Sequence, residues 1–232
     1  MSDSPKQVRL LQWGEINYEE ALSKQENLLE KLIQWKRKKE SEKYIKPEPT
    51  QHYLITCTHP PVVTLGRNGK KEHLLYSTQE MVEKGISFHK TTRGGDITYH
   101  GPGQLVVYPI LDLEQFFKDI HRYLRTLEEA IILTLADYSL RGSRIPKLTG
   151  VWINDKKVAA IGIRMSRWVS MHGLALNVCT HLSHFESIVP CGIADKDVTS
   201  IEKETGIKYK LKEVEHTLLK HLKNLLNLNF LG

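Results

Sequence analysis

Thr92-Arg93-Gly94-Gly95-Asp96-Ile97-Thr98-Tyr99-His100-Gly101-Pro102-Gly103-Gln104 is the stretch around which the rest of the chain is arranged. Four glycines and one proline fall within these thirteen residues, beside Arg93, Asp96, His100 and the hydroxyls of Thr92, Thr98 and Tyr99. Apolar β-formers flank it: Ile86-Ser87-Phe88 before, Leu105-Val106-Val107-Tyr108 after. That pattern predicts a strand, a glycine-rich loop and a second strand. Glycine allows backbone to come close to a ligand. An ordinary surface turn needs neither this length nor an arginine and a histidine along it, so the loop is expected to cradle a ligand.

Working outward, strand signals recur on both sides. Val8 to Trp13 and Tyr53 to Cys57 read as strands, as do Gly150 to Ile153, Val158 to Ile163 and Trp168 to Asn177. Asn154-Asp155-Lys156 has the composition of a hairpin turn. Helical periodicity predicts four helices. The first is capped by Asn17, with Leu22, Leu29, Leu32 and Ile33 on one face and Leu28 at its edge. The others run from Thr78 to Lys84, from Phe116 to Tyr138, and from Glu213 to about Leu228. Lys36 to Pro49 reads as a charged, proline-punctuated linker with a solvated basic helix end. The expected packing is an antiparallel sheet with helices on one side.

The 232 residues are enough for one sizeable core, and no second domain boundary is convincing, so residues 1–232 are read as one domain. No apolar run is long enough to span a bilayer, and the N-terminus lacks a signal-peptide or transit-peptide pattern, so a cytoplasmic location is expected. Three cysteines, Cys57, Cys179 and Cys191, argue against a disulfide framework. The formal charge of +6 suits an acidic partner, either nucleic acid or an acidic carrier protein.

Cys191, between Pro190 and Gly192, sits in a constrained turn that presents a thiol; Cys57 and Cys179 read as structural. A cysteine nucleophile needs a group to favour thiolate and move protons, and His100, His172 and Lys157 are the candidates. From residue types alone Lys157 is equally a polar hairpin tip. Arg67, beside Gly66, reaches a ligand or faces solvent. Cys179, His181 and His184 lack metal-ligand spacing, so no metal is expected. Gly101-Pro102-Gly103 is followed by a strand and is no dinucleotide fingerprint.

Arg93 to Gln104 resembles the signature of the lipoyl(octanoyl) transferase family. The resemblance extends to Gly150-Val151-Trp152 with Lys157 to Arg164, to His172 to Asn177, and to Ile188 to Gly192, in that order. It implies the catalytic-domain fold of biotin and lipoate ligases, a mixed α/β single domain (α+β type) with its sheet packed against helices. It implies Cys191 as an acyl-thioester nucleophile and Lys157 as its proton-transfer partner. It places Arg93, Gly94, Gly95, Asp96, Ile97, Thr98, Tyr99 and His100, with Ala160, Ile161, Gly162, Gly173, Leu174 and Ala175, around the acyl group. No cofactor is implied. The implied partners are octanoyl-acyl carrier protein and the apo lipoyl domains of 2-oxoacid dehydrogenase complexes and glycine cleavage H protein, acting on a monomer without nucleic acid or membrane. Two other readings remain open: an ATP-dependent lipoate or biotin ligase of the same fold, and a basic nucleic-acid-binding module.

Overall fold

A computed structural model describes residues 4–41, 51–189 and 197–231. Eight strands form the main sheet: β1 (Lys6–Glu15), β2 (His52–Thr58), β6 (Gln104–Ile110), β7 (Gly142–Ser143), β8 (Val151–Ile153), β9 (Lys156–Ser166), β10 (Val169–Asn177) and β11 (Leu228–Leu231). Their spatial order is β11-β1-β2-β6-β10-β9-β8-β7. β1 runs parallel to both of its neighbours and the other pairs are antiparallel, so the sheet is mixed. A small sheet of β3 (Val62–Leu65), β4 (Ser87–Lys90) and β5 (Ile97–His100) stands beside it in the order β4-β3-β5.

Helices cover both faces of the main sheet, where one covered face was expected. Every residue of β6 and β10 is buried, which requires a layer on each side. The alternation of β6 shows how this is met. Leu105 and Val107 join the core under α3 (Ile120–Asp137) and α5 (Leu211–Leu226). Val106, Tyr108 and Ile110 join a second core under α1 (Tyr18–Ser41), which contributes Ala21, Leu29 and Leu32. A third cluster, with Val63, Ile97, Tyr99 and Phe185, fills the back of the small sheet. Two shorter helices, α2 (Thr78–Glu83) and α4 (Ile201–Thr205), complete the set. No helix among the described residues is long and apolar enough to cross a membrane.

Four local expectations change. The glycine-rich stretch is not one loop: β5 occupies its middle and leaves a tight turn on either side. α3 begins at Ile120, not Phe116, because the Asp119 side chain accepts from Arg122 N at 2.9 Å and caps it there. α5 stops at Leu226, where Asn227 turns left-handed with φ 50°, and the chain continues as β11 beside β1. Finally, α1 continues to Ser41, and Lys36 is buried within it; residues 42–49 of the expected linker lie outside the described residues. Lys36 Nζ donates to Asp112 Oδ1 at 2.7 Å and to Arg167 O at 2.8 Å, with Glu114 Oε2 at 3.1 Å.

Such a pair is costly to break from one side, since an uncompensated charge stays buried. Asp112→Ala is therefore expected to destabilise the protein by roughly 3 kcal/mol, with Glu114 limiting the loss. The double variant Lys36→Met/Asp112→Leu should recover most of it. Urea midpoints check this, and an unchanged midpoint for Asp112→Ala would refute it.

Candidate active site

Where the two sheets meet, their edges enclose a cavity of about 480 Å³. The antiparallel register of β9 and β10 builds one wall. It sets Gly162 opposite Gly173, Ile161 opposite Leu174 and Ala160 opposite Ala175. Small residues there leave space in front of the sheet. Gly162 also lets the small sheet close on β9: a Cβ at that position would lie 2.8 Å from Gly94 O. Gly94 N donates to Ile163 O at 2.8 Å and joins the two units.

Of the residues expected around the site, Arg93, Gly95, Asp96, Ile97, Thr98 and His100 line the cavity, with Lys157, Ala160, Ile161, Gly162, Gly173, Leu174 and Ala175. Gly94 and Tyr99 do not. Gly94 is spent on the sheet junction. Tyr99 falls on the opposite side of β5 from Thr98, because successive strand residues face opposite ways. Its hydroxyl pairs with His184 Nδ1 at 2.8 Å and its ring packs on Phe185. Cys191 lies outside the described residues. Arg67 is exposed.

The arginine of the glycine turn is a fixture of the wall. Arg93 Nη2 donates to Thr64 O at 2.7 Å and to Thr64 Oγ1 at 2.8 Å, and Nη1 donates to Gly94 O at 3.1 Å. His100 is held the same way. Its Nδ1 pairs with Gln104 Oε1 at 2.7 Å; Gln104 Nε2 donates to Asn177 Oδ1 at 2.9 Å; Asn177 Nδ2 donates to Thr199 O at 2.9 Å. Burial, with His59 and Arg93 nearby, pulls the His100 ring down to about 3. Burial beside Arg93 and Arg164 pulls His172, another lining residue, down to about 3 as well. Both rings are neutral at pH 7 and present no charge to a ligand.

Tyr18, Tyr108 and Val106 close the buried end, a contribution that nothing in the linear pattern marks. His59 holds Tyr108: its Nδ1 donates to Ile16 O at 2.7 Å, and its Nε2 accepts from the Tyr108 hydroxyl at 2.7 Å. Asn68, Lys70 and Lys147, all exposed, stand at the mouth. His73 is a further lining residue, with Nδ1 against Asp96 Oδ2 at 2.5 Å.

Lys157 reaches the cavity with its ammonium 5.2 Å from the centre of the Trp152 ring. Its place depends on Gly150, whose φ of 135° suits only glycine. A Cβ there would lie 2.7 Å from Lys157 Cε and 2.6 Å from Ala159 O. The turn is held by Glu128, fully buried on α3, which accepts from Gly150 N at 3.1 Å and from Arg144 Nε at 2.9 Å. Gly150→Ala is thus expected to displace Lys157 and lower turnover about 100-fold, the order of loss when a side chain lining the active cavity moves by roughly 1 Å. Steady-state rates alongside a thermal melt check this; wild-type turnover would refute it.

The described residues that flank Cys191 in the chain are hydrogen-bonded to cavity residues. Two residues before it, Val189 N donates to His73 O at 2.8 Å. Six residues after it, Asp197 O accepts from Lys157 N at 2.8 Å, and Thr199 N then donates to Lys157 O at 2.9 Å. The other two thiols are poorly placed to react. Cys57 is buried, and burial pushes its pKa far up; Cys179 is half-buried and also pushed up, by burial and Glu202.

Residues 17–223 match the family model of the lipoyl protein ligase A/B catalytic domain. The chain is 48% identical over 226 residues to the octanoyltransferase of Christiangramia forsetii, covering 95% of this chain and 96% of that protein. It is 48% identical over 233 residues to the octanoyltransferase of Cytophaga hutchinsonii, covering 97% and 94%. Among solved structures it resembles a lipoate-protein ligase A bound with ATP, with a TM-score of 0.71 at 17% identity, over 98% of this chain and 88% of that one. A bipartite lipoate protein ligase from Thermoplasma acidophilum gives a TM-score of 0.71 at 19% identity, over 98% and 86%. At such identities these two structures speak to the fold alone.

Proposed function

Since the chain belongs to the lipoyl protein ligase A/B catalytic-domain family and matches octanoyltransferases along nearly its whole length, we propose that it moves an octanoyl group from acyl carrier protein to a lysine of lipoyl domains through a thioester on Cys191. The octanoyl transfer follows from those relatives. The covalent route rests on one observation: the backbone of Lys157, a cavity residue, is hydrogen-bonded to Asp197 and Thr199, six and eight residues after Cys191.

Chemistry of this kind splits one difficult acyl transfer into two easier ones. Cys191 thiolate attacks the thioester carbonyl, forming a carbon–sulfur bond and an oxyanion. The oxyanion collapses, the bond to the carrier sulfur breaks, and Lys157 gives its proton to the departing thiolate. The lipoyl-domain lysine, as the free amine, then attacks the Cys191 thioester. A carbon–nitrogen bond forms, the Cys191 sulfur leaves as thiolate, and Lys157, now neutral, takes the amine proton. The pair returns to its starting state with no energy source beyond the incoming thioester. Exposed Lys70 and Lys147 at the mouth, with the net charge of +6, suit an acidic carrier.

Incubation with octanoyl-loaded acyl carrier protein is expected to add one octanoyl mass to the protein in the absence of ATP. Transfer that requires ATP and free octanoate would favour an adenylate-forming ligase on the same fold and sink the covalent route.

A further inference from the structure

Among the described residues, three buried side-chain polar atoms have no hydrogen-bond partner: Gln25 Nε2, His172 Nε2 and Thr180 Oγ1. Of these residues, His172 lines the cavity, and its side chain belongs to a residue only 2% exposed. Buried polar atoms are nearly always paired, so an orphan on a cavity wall marks a place where a ligand supplies the partner. A second observation concerns the same residue. His172 has φ 60° in the middle of β10, a conformation that a non-glycine side chain adopts only at a cost and that clusters at ligand sites. It is held in place from α1, where Gln25 Oε1 accepts from His172 N at 3.0 Å.

The register locates His172 relative to the reacting end. His172 is opposite Ile163. Lys157 stands six residues before Ile163 on the same strand, about 20 Å away at the usual rise per residue. The lysine stem, a thioester and an extended eight-carbon chain, laid end to end at ordinary bond lengths, cover roughly 18 Å. An octanoyl chain laid along β9 from the Lys157 end therefore reaches towards the level of His172.

We propose that His172 Nε2 is a hydrogen-bonding group for the distal end of the acyl chain, and that the site takes medium-chain acyl groups bearing a terminal hydroxyl as well as plain octanoyl. The inference rests on the octanoyl-transfer reading with Cys191 and Lys157 at the other end. The ring is neutral at pH 7, so Nε2 offers either an N–H or a lone pair, and a hydroxyl answers both. A plain methyl end answers neither.

The test is a competition between octanoyl- and ω-hydroxyoctanoyl-loaded acyl carrier protein, read as the mass of the acylated lipoyl domain, with kcat/KM for each. The unaltered enzyme is expected to use the hydroxylated chain within about threefold of octanoyl, since its polar end meets a partner. His172→Leu should lower that ratio about tenfold, by removing the partner. His172→Asn, which tolerates the left-handed backbone and keeps a donor and an acceptor, should restore part of it. Equal ratios in all three proteins would overturn the proposal. As a readout independent of the variants' folding, the His172 ring ¹⁵N shift in the unaltered protein should move with ω-hydroxyoctanoate and not with octanoate; no difference would also overturn it. Loss of octanoyl transfer by the unaltered enzyme would instead strike the reading on which the inference stands.

Discussion

Cys191→Ala is expected to abolish the octanoyl adduct and to lower transfer by 10⁴-fold or more, the order of loss when a covalent nucleophile is removed from an enzyme that works through it. Lys157→Met should cost about 10²- to 10⁴-fold, the range for one positioned proton-transfer group. The two losses should not add, because the residues act as a unit. The variants also separate by pH. Without Lys157 the thiol has to ionise unaided, so residual activity of Lys157→Met should climb as pH rises through about 8.5, an ordinary cysteine pKa. Cys191→Ala should stay inactive at every pH. Cys179→Ser should behave as wild type, since that thiol is discouraged from ionising and does not line the cavity. Adduct formation by Cys191→Ala, seen by intact mass, would remove the covalent route.

A steep loss of stability in mild acid is the second large effect expected. His52, His100 and His172 are 1%, 7% and 2% exposed. Burial pulls His52 down to about 4, partly opposed by Asp112, and pulls His100 and His172 to about 3. Each begins from 6.5 when unfolded. The unfolded chain therefore takes up protons first as pH falls below 6.5, while the folded rings stay neutral. Stability from this source is complete above pH 6.5 and drains as pH drops towards 4, and more slowly towards 3. Each histidine contributes a slope of about 1.4 kcal/mol per pH unit, so three give about 4 kcal/mol per unit. A domain with roughly 5–10 kcal/mol in hand would unfold near pH 4–5. Urea unfolding at pH 8, 6.5 and 5 measures this slope. His59, fully buried and also pulled down by burial, drains stability in the same direction, so His52→Asn should remove one proton's share of the slope, roughly between a quarter and a third. Equal stability at pH 6.5 and 4.5 would contradict the neutral burial of these rings.

Both effects involve residues whose types were conspicuous in the chain and whose surroundings were not. His100 stood out beside its glycines, yet its neutrality comes from burial beside His59 and Arg93, and its orientation from Gln104, Asn177 and the backbone of Thr199, collected from three segments. Lys157 looked as much a hairpin tip as a proton carrier. What distinguishes it is a set of neighbours: Trp152, the bare face of Gly150, and the backbone of Asp197 and Thr199. Lys36 read as solvated because its sequence neighbours are basic, but Asp112 and the carbonyl of Arg167 meet it from the other side of the core.

The local pattern alone determined the strand and helix types, the glycine turns, a sheet with a buried face, the basic surface and the blocks that mark the family. These depend on neighbours a few residues apart, through periods of 2 and 3.6 and the conformational freedom of glycine. Tertiary structure decided which residues of the glycine stretch face a ligand. A strand through its middle turns Thr98 and His100 towards the cavity and Tyr99 into the core. It also decided that helices cover both sheet faces, that Leu228–Leu231 pairs with β1, that Tyr18 and Tyr108 close the cavity, and that His172 holds an unpaired nitrogen against it. These features come from strand register and from contacts across more than 100 positions, and no local period records which distant residues will be set opposite each other.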